Sequence, residues 1–314
     1  MSLRIALYGR GAWGSTLESL WRGQSHHLRC WSRRDGSDPE RLLTDCDLAV
    51  IAVAMPGVDS LAARLRPHWP EGLPLLSCSK GIDPDRLITP SRIWAGLRGP
   101  VAVLSGPNLA TELAAGLPAA SVIASADAGL AERLQVELSC ENLRLYTNAD
   151  PIGTEVAGAL KNVMALAAGL CDGLKLGANA RASLLTRGLV EIGIVLEGLG
   201  GTITTLYGLA GLGDLLATAT SALSRNYRCG LLLAGGCTTA EAVERIGATV
   251  EGLRTARAAV SLAEREGWNL PICTQVVAVT EGRIIPAAAA RLLMGRGLRA
   301  EDGGPSLMAG PTDD

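Results

Sequence analysis

Gly9-Arg10-Gly11-Ala12-Trp13-Gly14 constrains this chain more than any other stretch. It follows an apolar run at 3–8 that reads as a buried first strand, and it opens a helical pattern at 15–21. A GxGxxG turn between a strand and a helix is the context in which a dinucleotide pyrophosphate binds. Gly9, Gly11 and Gly14 permit a tight turn and a close backbone approach. The helix that follows offers its N-terminus, where the peptide dipoles favour an anion.

The same rhythm continues. Strand-like runs at 27–31, 48–53, 75–78 and 101–104 alternate with helical segments at 58–65, 91–97 and 109–115. That alternation predicts an α/β, Rossmann-type, doubly wound parallel sheet. Two further strands, 119–124 and 143–146, flank a helix at 129–138 and extend it. Ligands of such sheets sit outside the carboxyl ends of the strands. Gly9 to Gly14, Met55-Pro56, Lys80 and Gly106-Pro107-Asn108 all lie at such ends. The second strand ends at Ser32-Arg33-Arg34 rather than at an acid. Arginines there suit the 2′-phosphate of NADP, although a solvated basic turn has the same composition. Asp35, one residue on, keeps NAD open.

Beyond Pro151 the strand pattern stops. Helical runs follow at 154–172, 179–199, 209–219, 225–234, 239–245, 251–266, 271–280 and 286–294. The turn residues at 147–151 divide the 314-residue chain into a dinucleotide-binding domain, 1–149, and an all-helical domain, 150–314. The tail at 301–314 is rich in Gly, Pro and Asp and reads as loose. With no Phe, 3% aromatics and a net charge of −2, the chain has neither stacking platforms nor a basic footprint for nucleic acid. Eight scattered cysteines with no CxxC, and three histidines without ligand spacing, point to free thiols rather than a metal site. The N-terminus shows no leader pattern and the apolar runs are broken by turns, so a soluble cytoplasmic protein away from the membrane is expected.

In the helical half, Lys161 is the only cation from Glu155 up to Lys175. Its neighbours three and four residues away are Ala157, Gly158, Met164 and Ala165, three of them tiny. Two readings stand: a stem reaching solvent from a core helix, or an ammonium with room for a ligand beside it. Gly211-Leu212-Gly213-Asp214 sets an acid beside a flexible turn. Ser224 is a candidate N-cap, and Arg225 and Asn226 in the first turn behind it make an anion site.

These residues carry a resemblance that covers almost the whole chain. The blocks are Ser79-Lys80-Gly81, Gly106-Pro107-Asn108-Leu109-Ala110-Thr111-Glu112, Gly158-Ala159-Leu160-Lys161-Asn162, Gly177-Ala178-Asn179-Ala180-Arg181-Ala182, Thr186-Arg187-Gly188-Leu189, Gly208 through Leu215, and Thr220 through Asn226. In these the chain resembles the bacterial-type NAD(P)-dependent glycerol-3-phosphate dehydrogenases. The resemblance implies a second domain like the C-terminal domain of 6-phosphogluconate dehydrogenase. It implies reduction of dihydroxyacetone phosphate to sn-glycerol 3-phosphate for phospholipid synthesis, by a homodimer using NADP or NAD, with NADPH favoured. By motif, Lys161 is the general acid/base. Lys80, Gly106, Asn108, Lys161, Asp214, Ser224, Arg225 and Asn226 contact substrate. Besides the three fingerprint glycines, Ala12, Trp13, Arg33, Arg34, Lys80, Ala110, Arg225 and Glu251 contact the cofactor. Two departures fall on the cofactor side: Arg10 replaces a small residue between the first two glycines, and the segment from Arg34 to Cys46 is shorter than the family's. Another β-hydroxyacid-type dehydrogenase, or a non-catalytic NAD(P)-binding regulatory protein, are the alternatives.

Overall fold

The computed structural model describes residues 2–297, so the tail at 301–314 lies outside the described residues. Seven strands form one sheet: β1 (Arg4–Tyr8), β2 (His27–Trp31), β3 (Leu48–Ile51), β4 (Leu75–Ser77), β5 (Val101–Ser105), β6 (Ala119–Ser125) and β7 (Leu143–Asn148), in the order β2-β1-β3-β4-β5-β6-β7. Around it lie α1 (Ala12–Gly23), α2 (Val58–Leu65), α3 (Pro90–Ile93), α4 (Ala110–Ala114) and α5 (Ala128–Leu138). The inner strands are apolar and largely buried because helices cover both faces, while the outer strands β2 and β7 mix buried and exposed residues. Leu7, Val50 and Leu76 pack with Leu17 and Trp21 of α1 on one face, while Ala6, Ala49 and Ile51 pack with Val58 and Leu65 of α2 on the other.

The sheet departs from uniform parallel pairing at one seam. β6 runs antiparallel to β5, with Ala102 opposite Ser125 and Ser105 opposite Val122, and β7 is parallel to β6. The connection from β5 to β6 holds only the five-residue α4, and β6 starts where β5 stops. The 11-residue α5 is long enough for a crossover, and β6 and β7 pair in parallel.

The seam determines where the helical domain starts. β7 ends at the amino-end side of β1–β5, and α6 (Pro151–Gly173) begins there. Asp150 caps it through Gly153 N at 2.8 Å and also accepts from Thr202 N at 2.7 Å and Thr205 Oγ1 at 2.8 Å. One turn up, Glu155 accepts from Ser91 N at 2.8 Å, tying α6 to the start of α3. From Pro151 to Lys161 the helix climbs about 15 Å, close to the length of a strand. Lys161 therefore arrives level with the carboxyl ends.

The remaining helices are α7 (Ala178–Gly198), α8 (Ile203–Leu206), α9 (Asp214–Ala219), α10 (Arg225–Ala234), α11 (Thr239–Ile246), α12 (Glu251–Glu266), α13 (Pro271–Thr280) and α14 (Pro286–Met294); all pack on α6 except α11, which packs on α10, and α14, which packs on α13 and α10. α6 is buried on every side from Gly153 to Cys171, which explains its near lack of charge. Its small residues admit close neighbours: a Cβ on Gly169 would lie 2.0 Å from the Tyr227 carbonyl oxygen of α10. Two expected elements differ. The helix read at 91–97 is only Pro90–Ile93, ended by the Gly96 turn, and the one read at 209–219 is a π-helical turn, Leu209–Gly213, running into α9. All eight cysteines are free. Among the described residues no helix is long and apolar enough to cross a membrane.

Candidate active site

Three charged side chains meet where α6 crosses the carboxyl ends of β4 and β5. The crossing is close because residue 158 is glycine. A Cβ there would lie 2.4 Å from Ser105 Oγ, at the last residue of β5. Lys161, one turn on, is 6% exposed, and its Nζ lies 2.7 Å from Asp214 Oδ1 and 2.6 Å from Thr218 Oγ1. Lys80, on the loop after β4, reaches the other carboxylate oxygen of Asp214, Oδ2, at 2.8 Å. It also donates to Asn108 Oδ1 at 3.2 Å and to the Gly106 carbonyl at 3.4 Å. Gly106 turns that carbonyl inward at φ +138°, which a side chain would resist. Asn108 donates onward to Ser121 Oγ at 3.2 Å.

One buried carboxylate thus bridges two ammoniums. Asp214 is 1% exposed. Burial opposes its ionisation, but the two lysines prevail and hold its carboxyl below the ordinary carboxylate range. Lys161 behaves oppositely. Burial pushes its pKa down to about 8, against the raising effect of Asp214 and with a further lowering from Lys80. An ammonium has three N–H donors. Lys80 has protein acceptors for all three, whereas Lys161 has two and so retains one donor.

Beside this cluster α10 and α12 begin. Ser224 caps α10 as expected, its Oγ accepting from Tyr227 N at 3.2 Å. Arg225 is exposed, and Asn226 is buried as a spacer, donating to Asn162 Oδ1 at 2.8 Å and accepting from Gly252 N at 2.9 Å. Asn162 Nδ2 is buried with no protein partner. Glu251 is half-buried at the start of α12. Burial raises its carboxyl pKa, while the charges of Arg225, Lys80 and Lys161 work the other way.

The fingerprint residues occupy the neighbouring strand ends. Gly9 and Gly14 are explained by packing: a Cβ on Gly9 would lie 2.4 Å from the Ala52 carbonyl oxygen, and one on Gly14 would lie 1.9 Å from that of Gly9. Gly11 is not. Its φ is an ordinary −75°, and a Cβ there would meet nothing within 4 Å. It is the N-cap residue of α1, whose first turn carries neither a capping side chain nor an acid. An open cradle before unsatisfied helix N–H groups fits a pyrophosphate. Ala12 lies in that first turn, Trp13 packs half-buried at its base, and the Ala110 carbonyl, across from α1, accepts from Thr16 Oγ1 at 3.2 Å. Arg33 and Arg34 stand exposed on a 3-10 turn after β2. Asp35 is spent on that turn, accepting from Ser32 N at 2.6 Å and Ser32 Oγ at 2.8 Å.

Two residues of the cluster escaped the sequence reading. Thr218 lies four residues after Asp214, hence on the same helix face, and that spacing could have revealed it. Asn162 carried no such signal, because its partner Asn226 is distant in sequence.

Comparison with known proteins bears on both halves. Residues 35–131 match the family model for the NAD-dependent glycerol-3-phosphate dehydrogenase N-terminus, and residues 150–291 match that for its C-terminus. The glycerol-3-phosphate dehydrogenase [NAD(P)+] of Synechococcus sp. (strain RCC307) is 53% identical over 303 residues, covering 96% of this chain and all of that protein. The enzyme of that name from Synechocystis sp. (strain ATCC 27184 / PCC 6803 / Kazusa) is 45% identical over 95% of each chain. Among solved structures, glycerol-3-phosphate dehydrogenase from Coxiella burnetii superposes with a TM-score of 0.89 at 33% identity, covering 94% of this chain and 99% of that one.

Proposed function

The chain belongs to the NAD-dependent glycerol-3-phosphate dehydrogenase family, and from that premise we propose that the Lys80–Asp214–Lys161 cluster is its reaction centre, with Lys161 as proton donor. It is an NAD(P)-dependent oxidoreductase that reduces dihydroxyacetone phosphate to sn-glycerol 3-phosphate. The observation that carries the assignment is the uncommitted donor of Lys161 beside the fully engaged Lys80.

When bound, NAD(P)H supplies a hydride to the ketone carbon. The protein's own groups then handle charge and proton. Negative charge develops on the carbonyl oxygen, and an ammonium aimed at it stabilises that charge and delivers the proton. Lys161 is held for this by Asp214 and Thr218, and Lys80 adds positive charge through the shared carboxylate. In the reverse direction, neutral Lys161 takes the hydroxyl proton. A pKa of about 8 keeps both forms accessible near neutrality. Exposed Arg225 and the first-turn amides of α10 ahead of Tyr227 N, which Ser224 Oγ takes, are the donors available to the substrate phosphate.

At the adenosine end the residues present favour NADPH over NADH. The acid that would hold a ribose 2′-hydroxyl, Asp35, is already bonded to Ser32, while Arg33 and Arg34 are exposed. The division at 149/150 belongs to the same proposal. It is supported by the end of β7 at Asn148 and the start of α6 at Pro151. So does action as a cytoplasmic homodimer supplying phospholipid synthesis, which rests on the family resemblance.

The test is nicotinamide absorbance with purified protein. Dihydroxyacetone phosphate should be turned over, faster with NADPH than with NADH, and phosphate-free dihydroxyacetone poorly if at all. Absence of turnover with either cofactor would refute the activity. Equal turnover of the two ketones would refute the phosphate assignment.

A further inference from the structure

Arg10 is a side chain that the fingerprint turn does not need. Its backbone leaves β1 beside the end of β2: Tyr8 pairs with Trp31, and Gly9 N donates to the Trp31 carbonyl at 2.8 Å. Residue 10 therefore emerges next to the Ser32-Arg33-Arg34 turn. Its side chain is half-exposed and reaches along α1 to Glu18, with Nε 3.6 Å from Oε2. Its charge lowers the carboxyl pKa of Asp35 on the adjacent turn, after the two larger lowering effects of the Ser32 hydrogen bonds.

The charges of this corner do not balance. The charged side chains of this corner are Arg10, Arg22, Arg33 and Arg34 with Glu18 and Asp35, and both carboxylates are engaged. Glu18 is shared between Arg10 and Arg22, whose Nε donates to it at 3.2 Å, and Asp35 is bonded twice to Ser32. Two positive charges remain in excess, matching the roughly −1.5 to −2 of a phosphate monoester near neutral pH. A contact of 3.6 Å from a half-exposed guanidinium holds Arg10 loosely, and Glu18 keeps Arg22 when Arg10 leaves for a phosphate.

We propose that Arg10 is a specificity-determining residue that reads the 2′-phosphate of NADP(H), closing on it from the β1 side while Arg33 and Arg34 close from the β2 side. This deepens the NADPH preference proposed above and rests on it. A guanidinium suits the role because it can present two parallel N–H groups to phosphate oxygens.

Calorimetry with adenosine 2′,5′-bisphosphate and with ADP, each titrated into the full chain, tests this without turnover. The wild type should bind the 2′,5′-bisphosphate more tightly than ADP. Arg10→Ala should weaken the 2′,5′-bisphosphate about tenfold and leave ADP unchanged. Equal weakening of both probes would place Arg10 on the adenosine 5′-phosphate that they share and overturn the proposal, as would no change in either. A wild type that binds the two probes alike would remove the NADPH preference itself. A selective wild type with an unaltered Arg10→Ala variant would remove only the role of Arg10.

Discussion

Replacing Lys161 by methionine is expected to lower the turnover of dihydroxyacetone phosphate by about 10²–10⁴-fold, the usual worth of a positioned general acid. NADPH binding, followed by fluorescence, should be unaffected. The substitution is close in volume, so the 6%-exposed site on α6 stays filled. Asp214 keeps Lys80 as its counter-ion at 2.8 Å, so no buried carboxylate is left unpaired. What disappears is the one ammonium with a free donor. The loss should therefore appear in kcat rather than in cofactor affinity, a division that general unfolding would not produce.

Asp214→Asn should cost both stability and activity. The neutral amide leaves two ammoniums facing each other with no anion between them. Removing one partner from a buried ion pair costs on the order of 3–5 kcal/mol, measurable by urea unfolding. The kinetic effect has a defined sign. Asp214 raises the pKa of Lys161, so its loss moves that pKa further below about 8. The protonated form needed for ketone reduction then predominates only at lower pH, and the activity limb shifts toward acid. A variant that kept wild-type stability and pH dependence would show that the carboxylate does not hold the two lysines.

Most of the sheet was legible because each strand is an apolar run between turn residues, and the GxGxxG context fixed the first crossover. The direction of β6 was not. Apolar runs carry no direction, and helix length does not supply it, since the four-residue α3 lies between the parallel β4 and β5 and the five-residue α4 between the antiparallel β5 and β6. That reversal matters for the site. It starts α6 at the far end of the sheet, and the ten residues of climb to Lys161 become the measure that brings the lysine to the strand ends. The small residues around Lys161 signalled room, and part of that room is filled by protein: Gly158 admits Ser105, while Met164 sits beneath Gly188. Asp214 was legible as an acid on a turn, but its bridging of Lys80 and Lys161 was not, since the three come from separate elements. Asn226, read as a substrate contact, also holds Asn162 and α12 in place.

The pH dependence of dihydroxyacetone phosphate reduction, measured in parallel in the wild type and in Lys161→Met, tests the central assignment most directly. Reduction needs the Lys161 ammonium, so the wild-type rate should fall as pH rises through about 8, and the reverse oxidation should rise through the same value. Lys161→Met should lose that limb together with its rate. A variant that retained the limb near pH 8 would show that another group donates the proton, and would contradict the account.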